Sequence, residues 1–314
     1  MIGTNNKEPK IYNGCYQKIK SIGEGSGGKA ILCKVVGEIK PQKSIFKSLG
    51  INQLEDIFGE DDSTDKKNNQ SKNLHMEQKR EYVVLKRFSL KDVNAIDMFI
   101  AHKSYGNHTN VYLVMDFYLD ISTIDNSLFS FEERVCICKQ FVEAVNYLHK
   151  NWIIHRDIKT SNTFLSQDGR VVLGDFGLAR KFGSPKREMS KYVVTIYYRP
   201  PEILYGASIY SDKLDIWSLG CSLAEILRDQ EQQQSRVLFP GESEIDQLAK
   251  IFAVRGTPNE KNWPGCSKLP IFMEFEHKDP ISIKELIPNL NDDGIDLIEK
   301  MLSLDPNQRP SAEE

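Results

Sequence analysis

Two short polar segments carry the residue types that phosphoryl chemistry needs. HRDIKTSN (155–162) offers Asp157, Lys159 and Asn162 in close succession. Asp157 can accept a hydroxyl proton and orient that hydroxyl. Lys159 can neutralise a transferring phosphoryl group, and Asn162 can hold a Mg²⁺ ion. DFG (175–177) adds a carboxylate, Asp175, for Mg²⁺, and Gly177 allows the turn. One base and two metal ligands lie between 157 and 175, as a transfer driven by positioning and charge neutralisation requires.

Two features nearer the N-terminus could bind the phosphates of a nucleotide. IGEGSGG places Gly23, Gly25 and Gly28 in GxGxxG spacing, where bare backbone can approach an anion. A plain hairpin turn explains the same glycines. A strand precedes them and a strand rather than a helix is expected after them, which favours a phosphate-covering loop over a dinucleotide fingerprint. Lys86 ends the apolar run YVVLK and could reach phosphates as a point charge. Alone, it reads equally as a strand lysine snorkelling to solvent.

The elements that must hold these groups follow from periodicity. Apolar residues alternate from Tyr16 to Val36 around the glycines, giving strand, tight loop, strand. YVVLKRF (82–88) and VYLVMDFY (111–118) are two further strands. Val135, Cys138, Phe141, Val142, Val145 and Leu148 form one stripe of a helix over 131–149. Helices are also expected over 215–228, 245–254 and 294–302. Strands come first and helices after, which predicts an α+β chain with a small sheet lobe and a larger helical lobe. The expected division is a polar tail at 1–11, the small lobe at 12–115, a hinge at 116–120 and the large lobe at 121–314. An insertion at 37–79 is polar and partly disordered, with helical spacing over 44–58.

Composition narrows the class. The chain has 314 residues, 40% hydrophobic and 27% charged, enough for two lobes with their own cores. A net charge of −3 gives no bias toward nucleic acid or an anionic membrane. MIGTNNKEPK lacks the apolar core of a signal peptide, and no stretch has the apolar length of a membrane span. Six scattered cysteines without CxxC pairing read as buried or half-buried free thiols, so a reducing compartment, nucleus or cytoplasm, is expected.

NWIIHRDIKTSN, LGDFGLARKFGSP, VVTIYYRPPEILYGA, DIWSLGC, LFPGESEIDQLAKIF and GTPNEKNWPG together resemble eukaryotic protein kinases, within them the cyclin-dependent kinases, and most of all the PITSLRE-type branch. The resemblance implies a bilobal fold, ATP and Mg²⁺ as cofactors, and serine/threonine specificity marked by Lys159. Ile22, Gly23, Glu24, Gly25, Ser26, Gly28, Ala30, Val84, Lys86, Met115, Asp116 and Tyr118 would bind ATP, with Met115 as gatekeeper and Asp116 to Tyr118 at the adenine edge. Thr195 would stand beside Asp157 and Lys159. Val194 and Arg199 would impose proline after the target residue, so substrates would be proteins with Ser-Pro or Thr-Pro sites. Ser190 would be the activation-loop phosphosite, gripped by Arg156 and Arg180. Glu202 and Arg309 would form a buried ion pair, and a cyclin would be the partner.

The sequence also departs from that pattern. The family has valine near the glycine loop and alanine before the strand lysine, whereas Ala30 and Val84 stand here, a volume swap across the adenine. Between Lys86 and Glu132 there is no glutamate to pair with the lysine. VNAIDMF (93–99) matches the strand after the family's αC helix, so that helix is expected to be missing. A shortened helix over 92–103 with Asp97 as partner, or Glu55 from the 44–58 segment, are the alternatives. Gly27 replaces the inhibitory tyrosine of the loop, Pro200 replaces an alanine, and the chain is expected to be cut short at Glu314 inside a last helix. The rival reading is a pseudokinase scaffold that binds nucleotide or partners without efficient transfer.

Overall fold

The computed structural model describes residues 11–12, 16–25, 28–36, 82–89, 110–182, 195–208, 211–229 and 236–314. The chain divides into two compact units, Met1–Phe117 and Tyr118–Glu314. The expected segments at 44–58, 92–103 and 93–99 lie outside the described residues, as do Ser26, Ser190 and Val194.

The first unit holds a five-stranded antiparallel sheet in sequential order. Its strands are β1 (Ile11–Tyr12), β2 (Tyr16–Gly25), β3 (Gly28–Val35), β4 (Tyr82–Ser89) and β5 (Asn110–Asp116). β4 is rich in β-branched and aromatic residues (Tyr82, Val83, Val84 and Phe88), as a pleated surface favours. Tyr16, Ile31, Leu32, Cys33 and Val84 are buried. Burial pushes the Cys33 thiol up to about 11, against the lowering charge of Lys18. Pairing of β2 with β3 shifts register between Lys18 and Lys20 and between Ser21 and Gly23, which adds twist as the glycines are approached.

The second unit is mainly helical. It contains α1 (Phe131–Lys150), α2 (Pro201–Leu204), α3 (Lys213–Leu227), α4 (Glu244–Arg255), α5 (Ile283–Leu286) and α6 (Asp292–Met301). Short strands β6 (Leu119–Asp120), β8 (Thr163–Leu165) and β9 (Val171–Leu173) form one sheet, and β7 (Ile153–Ile154) pairs with β10 (Arg180–Lys181) in another. α3 carries the core: every residue from Leu214 to Leu227 is buried. Phe141, Tyr205, Phe252, Ile154 and Ile158 belong to the same buried core.

α1 begins with a capping box, in which Glu133 N–H donates to Ser130 Oγ and Ser130 N–H donates back to Glu133 Oε2. Its buried stripe is Arg134, Ile137, Cys138, Phe141, Val145 and Leu148. The expected stripe included Val135, which is exposed. Arg134 takes the inward place because it has partners there: its guanidinium donates to Leu227 O at 3.0 Å and to Asp229 at 2.8 Å. The thiols also part from expectation at one position. Cys138 is buried, its thiol pushed up to about 12, while Cys136 two residues away is exposed.

Candidate active site

The loop after β7 is shaped by a buried carboxylate. Asp215, in the first turn of α3, accepts the backbone N–H groups of His155 at 2.7 Å and Arg156 at 2.9 Å. It also meets His149 Nε2 at 3.0 Å. These bonds hold Arg156 at φ 66°, a conformation that side chains other than glycine adopt rarely. Among the described residues the other non-glycine positive φ values are at Trp152, just before β7, and at Asp175, beside the Gly174 that bonds to Asn162 of this loop.

His155 is buried and neutral. Burial holds its pKa below the ordinary value, against the pull of Asp215. Its Nε2 faces Gly174 O at 3.0 Å and its Nδ1 accepts the Asp157 N–H at 3.3 Å. A carbonyl only accepts and a backbone N–H only donates, so the tautomer is the Nε2–H form. Its ring also packs on Phe176 with centroids 4.9 Å apart. One imidazole therefore ties the 155–162 loop to the 174–176 turn.

Asp157, Lys159, Asn162 and Thr195 converge. Asp157 Oδ2 accepts from Lys159 Nζ at 2.9 Å and from Asn162 Nδ2 at 2.9 Å. Asp157 Oδ1 accepts from Thr195 Oγ1 at 3.0 Å. Lys159 Nζ donates to that same hydroxyl at 2.7 Å. Burial by itself would raise the Asp157 pKa, but the Lys159 charge and the hydrogen bonds from Lys159, Asn162 and Thr195 outweigh it and hold the carboxyl below its ordinary range. Asp157 is a carboxylate at neutral pH, and this cluster already holds one alcohol between an acceptor and a cation.

The magnesium candidates sit across one backbone bond. Gly174 N–H donates to Asn162 O at 2.9 Å, which places Asp175 next to the Asn162 strand end. Asn162 spends its amide N–H groups on Asp157, so its remaining donor to a metal is the amide oxygen. With the Asp175 carboxylate this would offer the hard oxygen ligands that Mg²⁺ prefers. Gly174 leaves little room for a side chain, and Gly177 stands close to Asp175. A Cβ at Gly174 would lie 2.8 Å from the Phe164 ring, and one at Gly177 would crowd Asp175 Oδ1 at 3.2 Å.

Further contacts, not anticipated, brace this loop from behind. Thr160 Oγ1 and Tyr198 OH both donate to Glu225 Oε2, at 3.1 and 2.9 Å. Burial pushes the Glu225 carboxyl up to about 7. The expected pair of Glu202 and Arg309 is present, two parallel bonds of 2.7 Å between buried groups. Arg156 Nε donates to Leu178 O at 2.5 Å, and Arg180 is exposed on β10.

The nucleotide candidates in the first unit are brought together by register. Ala30 pairs with Lys86, and Val84 with Met115. Since Val84 and Lys86 are two apart on one strand, all four occupy one face of the sheet. Gly23 pairs with Ala30, Gly25 with Gly28, and Asp116 with Val83. Ile22 is exposed beside the β2 irregularity, Glu24 pairs with Lys29, and Tyr118 opens the second unit.

A sheet unit, a helical unit and an aspartate–lysine–asparagine loop followed by DFG define a phosphotransferase of the kinase class. The family model for the protein kinase domain matches residues 16–314, and the chain belongs to that family. Within it the chain falls in the cyclin-dependent kinase group, as a serine/threonine kinase that uses ATP. It is 37% identical to cyclin-dependent kinase 7 of Dictyostelium discoideum, over 93% of this chain and 75% of that protein. It is 44% identical to cyclin-dependent kinase 11 of the same organism, over 56% of this chain and 48% of the relative. It is 41% identical to the serine/threonine-protein kinase PITSLRE of Drosophila melanogaster, over 66% of this chain and 23% of that protein. The chain thus spans three quarters of the first relative and about half or less of the other two.

Proposed function

We propose that this kinase is proline-directed, that it works with Mg²⁺ held by Asn162 and Asp175, and that a cyclin is its partner. The observation that supports transfer to a hydroxyl is the single alcohol, that of Thr195, bound by both Asp157 and Lys159. A substrate serine or threonine placed there donates to Asp157 and keeps Lys159 within reach of the incoming phosphoryl. The substrate oxygen then bonds to the γ-phosphorus as the bond to the β-bridging oxygen breaks, leaving ADP and a phosphoester. A carboxylate held low in pKa takes the hydroxyl proton late, which fits a loose transition state that needs orientation more than early deprotonation. Bound Mg²⁺ supplies charge neutralisation on the phosphates.

The remaining roles rest on the resemblance. Lys86 contacts the α- and β-phosphates, Ala30, Val84 and Met115 surround the adenine, and phosphorylated Ser190 is gripped by Arg156 and Arg180. Cyclin dependence is what the names of the relatives state of those proteins. The work is done in the nucleus or cytoplasm.

The test is transfer of labelled γ-phosphate to matched Ser-Pro, Ser-Ala and Tyr-Pro peptides, with Mg²⁺ or with EDTA. The expected result is transfer to Ser-Pro above Ser-Ala, none to tyrosine and none with EDTA. Equal use of Ser-Pro and Ser-Ala would overturn the proline reading. Undiminished transfer in EDTA would overturn the metal assignment.

A further inference from the structure

The alcohol seated on the catalytic loop belongs to the kinase itself. Thr195 Oγ1 donates to Asp157 Oδ1 at 3.0 Å and accepts from Lys159 Nζ at 2.7 Å. Its backbone is pinned as well. Thr195 N–H donates to the same Oδ1 at 3.3 Å, and Thr195 O accepts from Tyr198 N–H at 2.9 Å. A hydroxyl oxygen carries two lone pairs. Lys159 takes one, which leaves the other to bond to phosphorus. The residue type and the contacts are those that the proposed reaction asks of a substrate threonine.

The groups that would act on this alcohol lie in the same unit. Asp157 is the proton acceptor and Lys159 the cation for the phosphoryl group. Asn162, a magnesium candidate, donates to Asp157 Oδ2 at 2.9 Å, and the Gly174 N–H on Asn162 O brings Asp175 beside it. The side chains of Asp157 and Lys159 are 8% and 19% exposed, so a hydroxyl bonded to both meets little competition from water as acceptor. Thr195 is also present at the site in every molecule, whereas a peptide must first bind. The bonds that hold Oγ1 in place act in the other direction. They keep it from advancing on phosphorus as a mobile peptide can, so transfer to Thr195 is slow beside transfer to a good substrate.

We infer that Thr195 is a self-modification site: with Mg-ATP bound and no protein substrate, the kinase transfers the γ-phosphoryl group to its own Thr195 and switches itself off. The inference rests on the reading of Asp157 as the group that receives a substrate hydroxyl. Oγ1 bonds to the γ-phosphorus as the bond to the β-bridging oxygen breaks. The hydroxyl proton passes to Asp157 and from there to water, and ADP leaves. The product sets a phosphate of nearly two negative charges against the Asp157 carboxylate and removes the hydroxyl that donated to it. Lys159 is drawn to that phosphate and is lost to the next transfer. A protein substrate whose hydroxyl takes the place on Asp157 protects Thr195, so the kinase stays active while substrate is present.

The experiment incubates the kinase with Mg-ATP and no peptide. Phosphate on residue 195 is followed by mass spectrometry, and transfer to a Ser-Pro peptide is assayed on the same samples. Phosphate is expected on Thr195, with a first-order rate constant independent of kinase concentration. As it accumulates, transfer to the peptide should fall about tenfold or more, as when a reacting group is misaligned. Peptide present at about ten times its Kd should slow the modification about tenfold. Thr195→Ser should take phosphate on the serine, and Asp157→Asn should take none at position 195. Thr195→Val, whose starting activity is lower, should show no further decline with ATP. An unmodified Thr195 in a kinase that phosphorylates the peptide overturns the inference. So does a rate constant that rises with kinase concentration, or a rate that peptide leaves unchanged. A freshly prepared kinase that transfers nothing to any peptide overturns the reading beneath it.

Discussion

The hydroxyl of Thr195 donates to Asp157 Oδ1 at 3.0 Å while accepting from Lys159 Nζ at 2.7 Å. The two residues are 38 apart in sequence, so this bond fixes the far end of the activation segment on the catalytic loop. Thr195→Val keeps the shape and removes both bonds. The expected result is a fall in kcat of about tenfold to a hundredfold, as when a reacting group loses its alignment. KM for ATP should stay within about twofold. Thr195→Ser should retain most activity. Steady-state kinetics on one peptide checks both variants, and full activity in Thr195→Val would show that the bond positions nothing.

Glu202 and Arg309 are a second such link, between the start of α2 and the chain near its last residues. The guanidinium also donates to Ser303 O, Lys213 O and Leu304 O and lies over the Trp217 ring with 5.0 Å to its centroid. Arg309→Ala leaves a buried carboxylate without its cation, which costs about 3–5 kcal/mol of unfolding free energy. The double variant Glu202→Gln, Arg309→Met removes the charge with the partner and should lose less than Arg309→Ala alone. Urea unfolding of the three proteins measures the difference. A double variant less stable than the single would contradict this account.

Glu225 gives a pH dependence with a definite sign. Its folded pKa stands at about 7 against an ordinary 4.5, raised by burial. Between those values the folded state binds more protons than the unfolded chain, so stability falls as pH rises through the window. The contribution is fully present below 4.5 and is lost by the time pH passes 7. Glu225→Gln accepts the same bonds from Thr160 and Tyr198 and does not ionise. The stability difference between wild type and this variant should therefore shift in the variant's favour on going from pH 5 to pH 8, read from urea midpoints. A difference independent of pH would mean that Glu225 titrates normally.

The strong motifs were legible because their chemistry is local. Asp157, Lys159 and Asn162 lie within six residues, and the strand and helix periods around them are long enough to read. The residues that position them were not. Asp215 stands 60 residues from the His155 amide it holds, and Glu225 stands 65 from Thr160. No spacing rule links such pairs. A carboxylate inside an otherwise apolar helix was the available signal, since a buried charge demands partners. The α1 stripe agrees with the expected one at Cys138, Phe141, Val145 and Leu148 and departs from it in the first turn, where Arg134 rather than Val135 turns inward to the Leu227 carbonyl and Asp229. β6 to β10 have two or three residues each, too few to show alternation. The Ala30 and Val84 exchange was visible as residue types, and register adds that both positions share a sheet face with Lys86 and Met115.

The central claim is that Asp157 aligns the substrate hydroxyl for transfer from ATP. Asp157→Asn keeps the size of the side chain and removes its charge. The direct measurement is single-turnover transfer of labelled γ-phosphate to a Ser-Pro peptide at saturating Mg-ATP, with ATP affinity measured by calorimetry on the same protein. The account predicts a rate lowered by about a hundredfold to ten-thousandfold with ATP affinity little changed. Transfer at the wild-type rate in Asp157→Asn would contradict it.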